Sequence, residues 1–406
     1  MKKIIFLLAF FSYGWAHAQE HDVRADEPAD LLDANIYDLI VNLPTHYDAF
    51  KRMLHEKHGF DYRIRAGFMA QRGAPGGHKT AWRQKYEIEA NLELFETPAL
   101  GAGSVQFAYE DINYWGEEAS TLGNRLKIAV PMNEDTVKRE YLTRLTYSHQ
   151  FAGSMDWLGI SIGQYVIGNF SKASYQSKPM HYFNNYAVGR NATKSNPNAG
   201  LGGYVTIEPS DTLTFVIGSQ DTTNYNPQNI SFKNLDDDKW TSFVYTSWAP
   251  EITDWGRTIL TGWVSHSPAI KKYDGKQNKD LPYAANAWVV TARQDIGEKW
   301  TLIAKANGAS GHRRPVRQSY AVNVLYNDPF DRNSLDQLGV GYAFNKLDRA
   351  NASNVRATES IVEAYYTIGI CDWFVITPDV QFYINPGQTH DTSLVTVSSI
   401  QAKFLF

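Results

Sequence analysis

Cysteine is nearly absent. The 406-residue chain holds one, Cys371, so no intramolecular disulfide can form and the fold must close by hydrogen bonds and packing. No charge of one sign dominates either: 39 Lys and Arg stand against 43 Asp and Glu, which leaves no basic stripe and argues against a nucleic-acid partner. Missing too is any linker rich in Pro, Gly or Ser, so a single main domain is the simplest division. The histidines show no metal-ligand spacing, and no cofactor or metal is expected. After Ala18 no run approaches the ~20 apolar residues that a membrane-crossing helix needs. A membrane protein with this sequence would have to cross with strands closed into a barrel, because lipid offers no partner for open backbone edges.

What is present begins with Lys2 and Lys3 before an apolar run from Ile4 to Trp15, followed by Ala16-His17-Ala18. This pattern predicts a secretory signal peptide over residues 1–18 and a mature start near Gln19. Residues 19–59 are expected to form a helical segment at the periplasmic mouth. Within it, 30–58 reads as one or two short helices, with Pro44 able to start a second after Leu43. Residues 60–406 are expected to form the barrel.

The case for a barrel rests on alternation. Tyr62, Ile64, Ala66, Phe68 and Ala70 alternate with Arg63, Arg65, Gly67, Met69 and Gln71, and Tyr86, Ile88, Ala90, Leu92 and Leu94 alternate with Lys85, Glu87, Glu89, Asn91 and Glu93. A period of two marks strands with one oily and one wet face, and a row of carboxylates cannot face lipid. Such segments start near Phe60, Trp82, Gly103, Lys138, Trp157, Asn198, Asp211, Trp240, Gly256, Ala285, Lys299, Gln318, Leu335, Ser360, Trp373 and Ser393. The fold class is therefore all-β, a transmembrane antiparallel β-barrel of about sixteen strands, a size that leaves an aqueous lumen. With 24 Tyr, 20 Phe and 11 Trp there is material for aromatic girdles at both interfaces.

Connections alternate long and short. Glu208 to Asp211, Gly297 to Lys299 and Gly369 to Asp372 are short; Tyr114 to Val137, Gly168 to Pro197, Thr222 to Lys239 and Ser267 to Ala284 are long. Long outer loops and short periplasmic turns give this pattern. The last strand ends at Phe406, with Phe404, Ala402, Ile400 and Ser398 on its face and Gln401 and Lys403 on the lumen face. Such an ending resembles the signal read by the barrel assembly machinery.

Several segments resemble the carbohydrate-selective porin family, the OprB type. Glu363-Ala364-Tyr365-Tyr366, Trp373, Thr377-Pro378-Asp379-Val380-Gln381, Asn385-Pro386-Gly387 and terminal Phe406 look like its closing signature, and Asp336 to Tyr342 looks like the strand before it. The likeness continues more weakly through Gln294, Trp300 and Gly308, Phe183-Asn184-Asn185, and Leu54 to Gly59. Gln401 and Tyr165 depart from the family pattern, each standing where a basic residue is expected. The resemblance implies diffusion of monosaccharides and short oligosaccharides through a roughly sixteen-stranded barrel, with small sugars, outer-membrane lipid and lipopolysaccharide as partners and a homo-oligomer as a possible assembly.

Strand parity supplies the candidate pore lining: Arg63, Arg65, Glu87, Glu89, Glu110, Arg144 and Tyr165 from early strands, and Lys305, Glu363, Asp379 and Gln381 from late ones. Arginine–carboxylate pairs would present fixed donors and acceptors to sugar hydroxyls, and the mixed signs argue against a filter for one charge. Inward Tyr165, Tyr204, Tyr365 and Tyr383 could stack on sugar rings or serve as girdle or filler. The connection from Gly168 to Pro197 is expected to fold into the lumen through Tyr175 and His181 to Tyr186, with Lys172, Lys178 and Arg190 pairing with inward carboxylates such as Glu87 or Glu89. Two alternatives share the alternation: a porin for other small solutes or anions, and a barrel hydrolase. The second needs Ser and His together, yet Ser148-His149 and Ser265-His266 are strand neighbours that point to opposite faces, so no enzyme is expected. Asp236 to Asp238 reads as a solvated loop tip, and His312 to Arg314 with Arg317 as an outer-loop cluster.

Overall fold

The computed structural model describes residues 36–76, 79–167, 183–193, 199–222, 228–230, 232, 239–252, 256–269, 284–311, 315–351 and 353–406. The expected signal peptide, Asp236 to Asp238, His312 to Arg314, and Lys172, Tyr175, Lys178, His181 and Tyr182 lie outside them. The first described element, α1 (Ile36–His58), is one helix of 23 residues. It does not restart at Pro44. Proline fixes φ near the helical value, so the helix continues with one backbone hydrogen bond missing.

Sixteen antiparallel strands follow. They are β1 (Phe60–Ala74), β2 (Ala81–Thr97), β3 (Gly101–Gly116), β4 (Arg139–Gln150), β5 (Leu158–Tyr165), β6 (Gly200–Ser210), β7 (Leu213–Asp221) and β8 (Trp240–Trp248), then β9 (Gly256–Ser267), β10 (Ala285–Ile296), β11 (Trp300–Ser310), β12 (Val316–Asn327), β13 (Gln337–Leu347), β14 (Thr358–Cys371), β15 (Phe374–Ile384) and β16 (Leu394–Leu405). Glu251–Ile252 extends the ladder beside β9 towards its turn. Each strand pairs with its sequence neighbours, and β1 pairs with β16 from Arg65 opposite Leu405 to Ala74 opposite Thr396. That last ladder closes the barrel and leaves no sheet edge. Every strand begins within two residues of the start read from alternation.

The faces are inverted relative to a soluble protein. Outward positions expose Val322, Val340 and Ile400 by 56%, 45% and 54%, whereas inward Asn323, Glu363 and Gln401 are 0%, 0% and 1% exposed. Exposed tryptophans gather at both ends of the wall, Trp82, Trp115, Trp240 and Trp288 at one and Trp157, Trp248 and Trp300 at the other, as interfacial girdles do. At the second end Trp373 stacks on Phe404 and Phe406.

Inside, two connections among the described residues fold back into the lumen. The β3–β4 connection carries α2 (Ala119–Leu126), and the β5–β6 connection carries the single turn α3 (Tyr186–Gly189). Leu122, Leu126, Ile128, Val130 and Met132 of the first and Phe183, Ala187 and Val188 of the second join one apolar cluster with inward Ile303, Leu325, Ile361, Tyr365, Tyr383 and Val397 of the wall. Two glycines make room for this packing. A Cβ on Gly341 would stand 2.4 Å from Val188 Cγ1, and one on Gly73 would stand 2.3 Å from Leu126 Cδ1.

Candidate functional site: the lumen and its inward loops

The inward loops are held by polar contacts beneath their apolar core. Glu359 on β14 accepts backbone N–H groups from Ala129 at 2.9 Å, Val130 at 2.9 Å and Gly387 at 2.6 Å. Glu363, four residues on and therefore on the same face, accepts from the Asn184 and Asn185 amides at 2.6 and 3.0 Å. The Asn185 side chain caps α3 through Ala187 and Val188 and donates to Tyr383 at 2.6 Å and Gln381 at 3.1 Å. Lys305 donates to the Val188 carbonyl at 2.8 Å and to that of Arg190, and Asn323 donates to the same Val188 oxygen at 3.0 Å. Buried polar groups on the wall thus find partners in loop backbone, as burial requires.

Both loops dock against the β11–β16 side, and the β3–β4 connection also reaches β1 and β2, where Leu126 meets Gly73 and Asp135 holds Arg83. Along β1–β4 and β16 a cavity of about 830 Å³ remains, lined by Lys51, Asp61, Arg63, Arg65, Arg83, Lys85, Glu87, Glu89, Gln106, Glu110, Glu134, Arg144, Arg190, Gln401 and Lys403 among others. Its charges interlock. Arg65 reaches Glu87 at 3.3 Å and Glu89 at 2.5 Å, and Arg63 lies 3.7 Å from Glu89. Lys85 sits among Glu87 at 3.1 Å, Asp135 at 3.4 Å, Glu134 at 3.5 Å and Glu110 at 3.6 Å. Asp135 also holds Arg83 at 2.9 Å and Arg139 at 2.7 Å, and Glu134 holds Arg190 at 2.6 Å. Burial would raise the Glu134 carboxyl, but Arg190, then Lys85, Arg83 and Arg139, together hold it well below the usual carboxylate range.

The parity candidates therefore separate into two groups. Arg63, Arg65, Glu87, Glu89, Glu110 and Arg144 line the cavity; Arg144 is brought there beside Gln106, 3.3 Å away, after a β-bulge in β4. Lys305, Glu363 and Gln381 lie inside the barrel but underneath the inward loop, where they anchor it instead of meeting solute. Asp379, 6% exposed, accepts from Ser399 at 3.0 Å and Gln381 at 3.3 Å and is likewise absent from the cavity wall. Tyr165, 1% exposed, donates to the Gly203 and Ser219 carbonyls within a separate inner cluster with Val216, Phe243 and Tyr245. Tyr365 and Tyr383 are filler under the loops, with Phe183 edge-on to Tyr365 at 4.9 Å. Arg190 pairs with an inward carboxylate as expected, but with Glu134 of the β3–β4 connection and not with the strand residues Glu87 or Glu89. Arg317 belongs to β12 and not to the loop before it.

Arg83 and Glu134 complete the charged wall, with Asp135 and Arg139 just behind it, and none of the four was singled out by the sequence. Arg83 shares the parity of Lys85, a signal that could have found it. Glu134 and Asp135 come from a connection whose inward fold strand parity does not report. Ser148 bonds to Ser161 at 2.8 Å while His149 bonds to Tyr147 at 3.1 Å, and buried Ser265 turns away from exposed His266, so neither Ser–His pair forms a nucleophile and base.

Porin AaxA of Chlamydia pneumoniae is 30% identical over 312 residues, covering 76% of this chain and 68% of that one. Porin AaxA of Chlamydia felis is 28% identical over 325 residues, covering 80% and 71%. Among solved structures, a high-pH form of Pseudomonas putida OprB superposes with a TM-score of 0.70 at 14% identity, covering 89% of this chain and 97% of that one, which shows the shared fold. The sequence pattern of the carbohydrate-selective porin, OprB family, matches from residue 65 to residue 406, nearly the whole barrel and both inward loops, and the chain belongs to that family.

Proposed function

We propose that solute moves past the β1–β4 and β16 wall, and that the inward β3–β4 and β5–β6 connections set the width of that path. The protein is an outer-membrane porin for small carbohydrates, a channel and not a member of an enzyme family. The observation that carries the proposed path is the cavity with interleaved guanidinium and carboxylate groups facing a loop core anchored on Glu359 and Glu363. A sugar leaving bulk water loses hydrogen bonds on every hydroxyl. Fixed arginine donors and carboxylate acceptors replace them without reorganising, because each is already held by its partner. Arg63, Arg65, Glu87, Glu89, Glu110 and Arg144 are the side chains we assign to this role.

Export through the 1–18 signal and recognition of terminal Phe406 by the barrel assembly machinery belong to the same reading, as do lipopolysaccharide contacts at the girdle formed by Trp82, Trp115, Trp240 and Trp288. A homo-oligomer is compatible with it; Vibrio cholerae OmpT, solved in a trimer form, shares the fold at a TM-score of 0.52 and 12% identity. Planar-bilayer recording tests the path. Glucose or a disaccharide added at millimolar levels should reduce ionic current in the wild type, and Arg65→Ala should weaken that block. Equal block in both would move the path away from this wall.

A further inference from the structure

The cavity wall is not electrically balanced. Among the described residues, eight basic side chains line it against five acidic ones, although the chain as a whole carries a formal charge of −4. Asp135 and Arg139, just behind the wall, add one charge of each sign and leave the excess unchanged. Three of these acids are each held by two bases. Glu87 is shared by Arg65 and Lys85, Glu89 by Arg63 and Arg65, and Glu134 by Arg190 and Lys85. A guanidinium carries five donors in a planar fork and is not saturated by one carboxylate oxygen. Arg63 is the clearest case: its ion pair to Glu89 is long, at 3.7 Å, and its side chain is 48% exposed to the cavity.

We propose that this porin favours sugars that bear a carboxylate, the aldonates and uronates of hexose size, over neutral sugars of equal size. The inference rests on the porin reading above and names the solute class of the same path. A net positive wall in a narrow, low-dielectric lumen raises the local concentration of anions. A carboxylate matches the arginine fork with two parallel hydrogen bonds, which a sugar hydroxyl cannot do. The interleaved carboxylates supply the rest of the selectivity. Glu89, 44% exposed beside Arg63, accepts hydroxyl protons from the polyol part of the solute, a spread of donors along the wall that a small inorganic anion such as phosphate does not offer. The wall suits a monoanion with hydroxyls better than a bare anion or a neutral ring.

Proteoliposomes containing the purified barrel test this with radiolabelled gluconate, glucose and phosphate at low and high salt. At low salt the gluconate flux should exceed the glucose flux by about tenfold, the lower end of electrostatic enrichment. At molar salt, where screening shortens the field to about 3 Å, the two should converge. Arg63→Gln should lower the ratio of gluconate to glucose flux by about threefold. Glucose entering as fast as gluconate at low salt, or phosphate as fast as gluconate, overturns the inference and leaves the porin reading standing. Neither sugar entering through an assembled barrel overturns both.

Discussion

Removing the Glu359 carboxyl should loosen the inward β3–β4 connection without dismantling the barrel. In Glu359→Ala the backbone N–H groups of Ala129, Val130 and Gly387 lose their shared acceptor. Each buried donor left without a partner costs ~1–3 kcal/mol, so even the low end gives about 3 kcal/mol for three. At 1.4 kcal/mol per decade, the ratio of detached to docked segment rises roughly a hundredfold. Full detachment is opposed by Leu122, Leu126, Ile128, Val130 and Met132, each at most 4% exposed. Burial of such side chains contributes ~1.5–3 kcal/mol apiece, several times the lost polar anchoring before chain ordering is counted. The expected result in single-channel recording is brief, frequent steps to a higher conductance on an otherwise wild-type baseline. Glu359→Gln, which keeps one acceptor oxygen but turns an amide donor towards the same N–H groups, should behave similarly and less severely. A heat-modifiable, correctly assembled Glu359→Ala barrel with the quiet trace and conductance of wild type would refute the anchoring role.

Replacing residues 183–190 with a Gly-Ser linker removes the loop held on Glu363 and Lys305 and should raise conductance and admit longer oligosaccharides; unchanged conductance would show that this loop does not set the width. Phe406→Ala removes a ring stacked on Trp373 at 5.6 Å while Phe406 exchanges backbone hydrogen bonds with Ile64, so the yield of assembled barrel should fall but the conductance of each assembled channel should not. Glu134, held below its ordinary value, contributes its ion-pair energy in full above about pH 4.3 and loses it only as pH falls through the depressed value. The conductance difference between wild type and Glu134→Gln should therefore persist from about pH 7 to about pH 5; its disappearance by about pH 5 would mean that the basic cluster does not keep Glu134 ionised.

The barrel was legible in the sequence because lipid and water impose opposite chemistry on alternate residues, so Arg63 and Arg65 against Ile64 and Ala66 report their faces directly. Strand parity gives direction but not depth. It puts Glu363, Gln381 and Lys305 inside, yet whether they meet solute depends on a loop distant in sequence that covers them. The length of the β5–β6 connection and its Phe183-Asn184-Asn185 segment marked it as inward, and the described part of it, 183–193, lies against the inner wall. The β3–β4 connection was passed over, although Leu122, Leu126, Ile128, Val130 and Met132 are more apolar than a solvated loop can be; that pattern was the available sign that it folds inward. Tyr165 could not be placed from sequence, since its partners Gly203 and Ser219 lie on β6 and β7, and only the glycine-permitted close approach of those strands creates its site.

Liposome swelling with uncharged sugars of increasing size tests the central claim most directly, that this chain is a carbohydrate porin whose bore is narrowed by its own inward loops. Monosaccharides should produce rapid swelling, disaccharides slower swelling and long oligosaccharides none, with the cut-off moving upward when residues 183–190 are replaced. No swelling with any monosaccharide, or a cut-off unmoved by that replacement in an assembled barrel, would contradict the account.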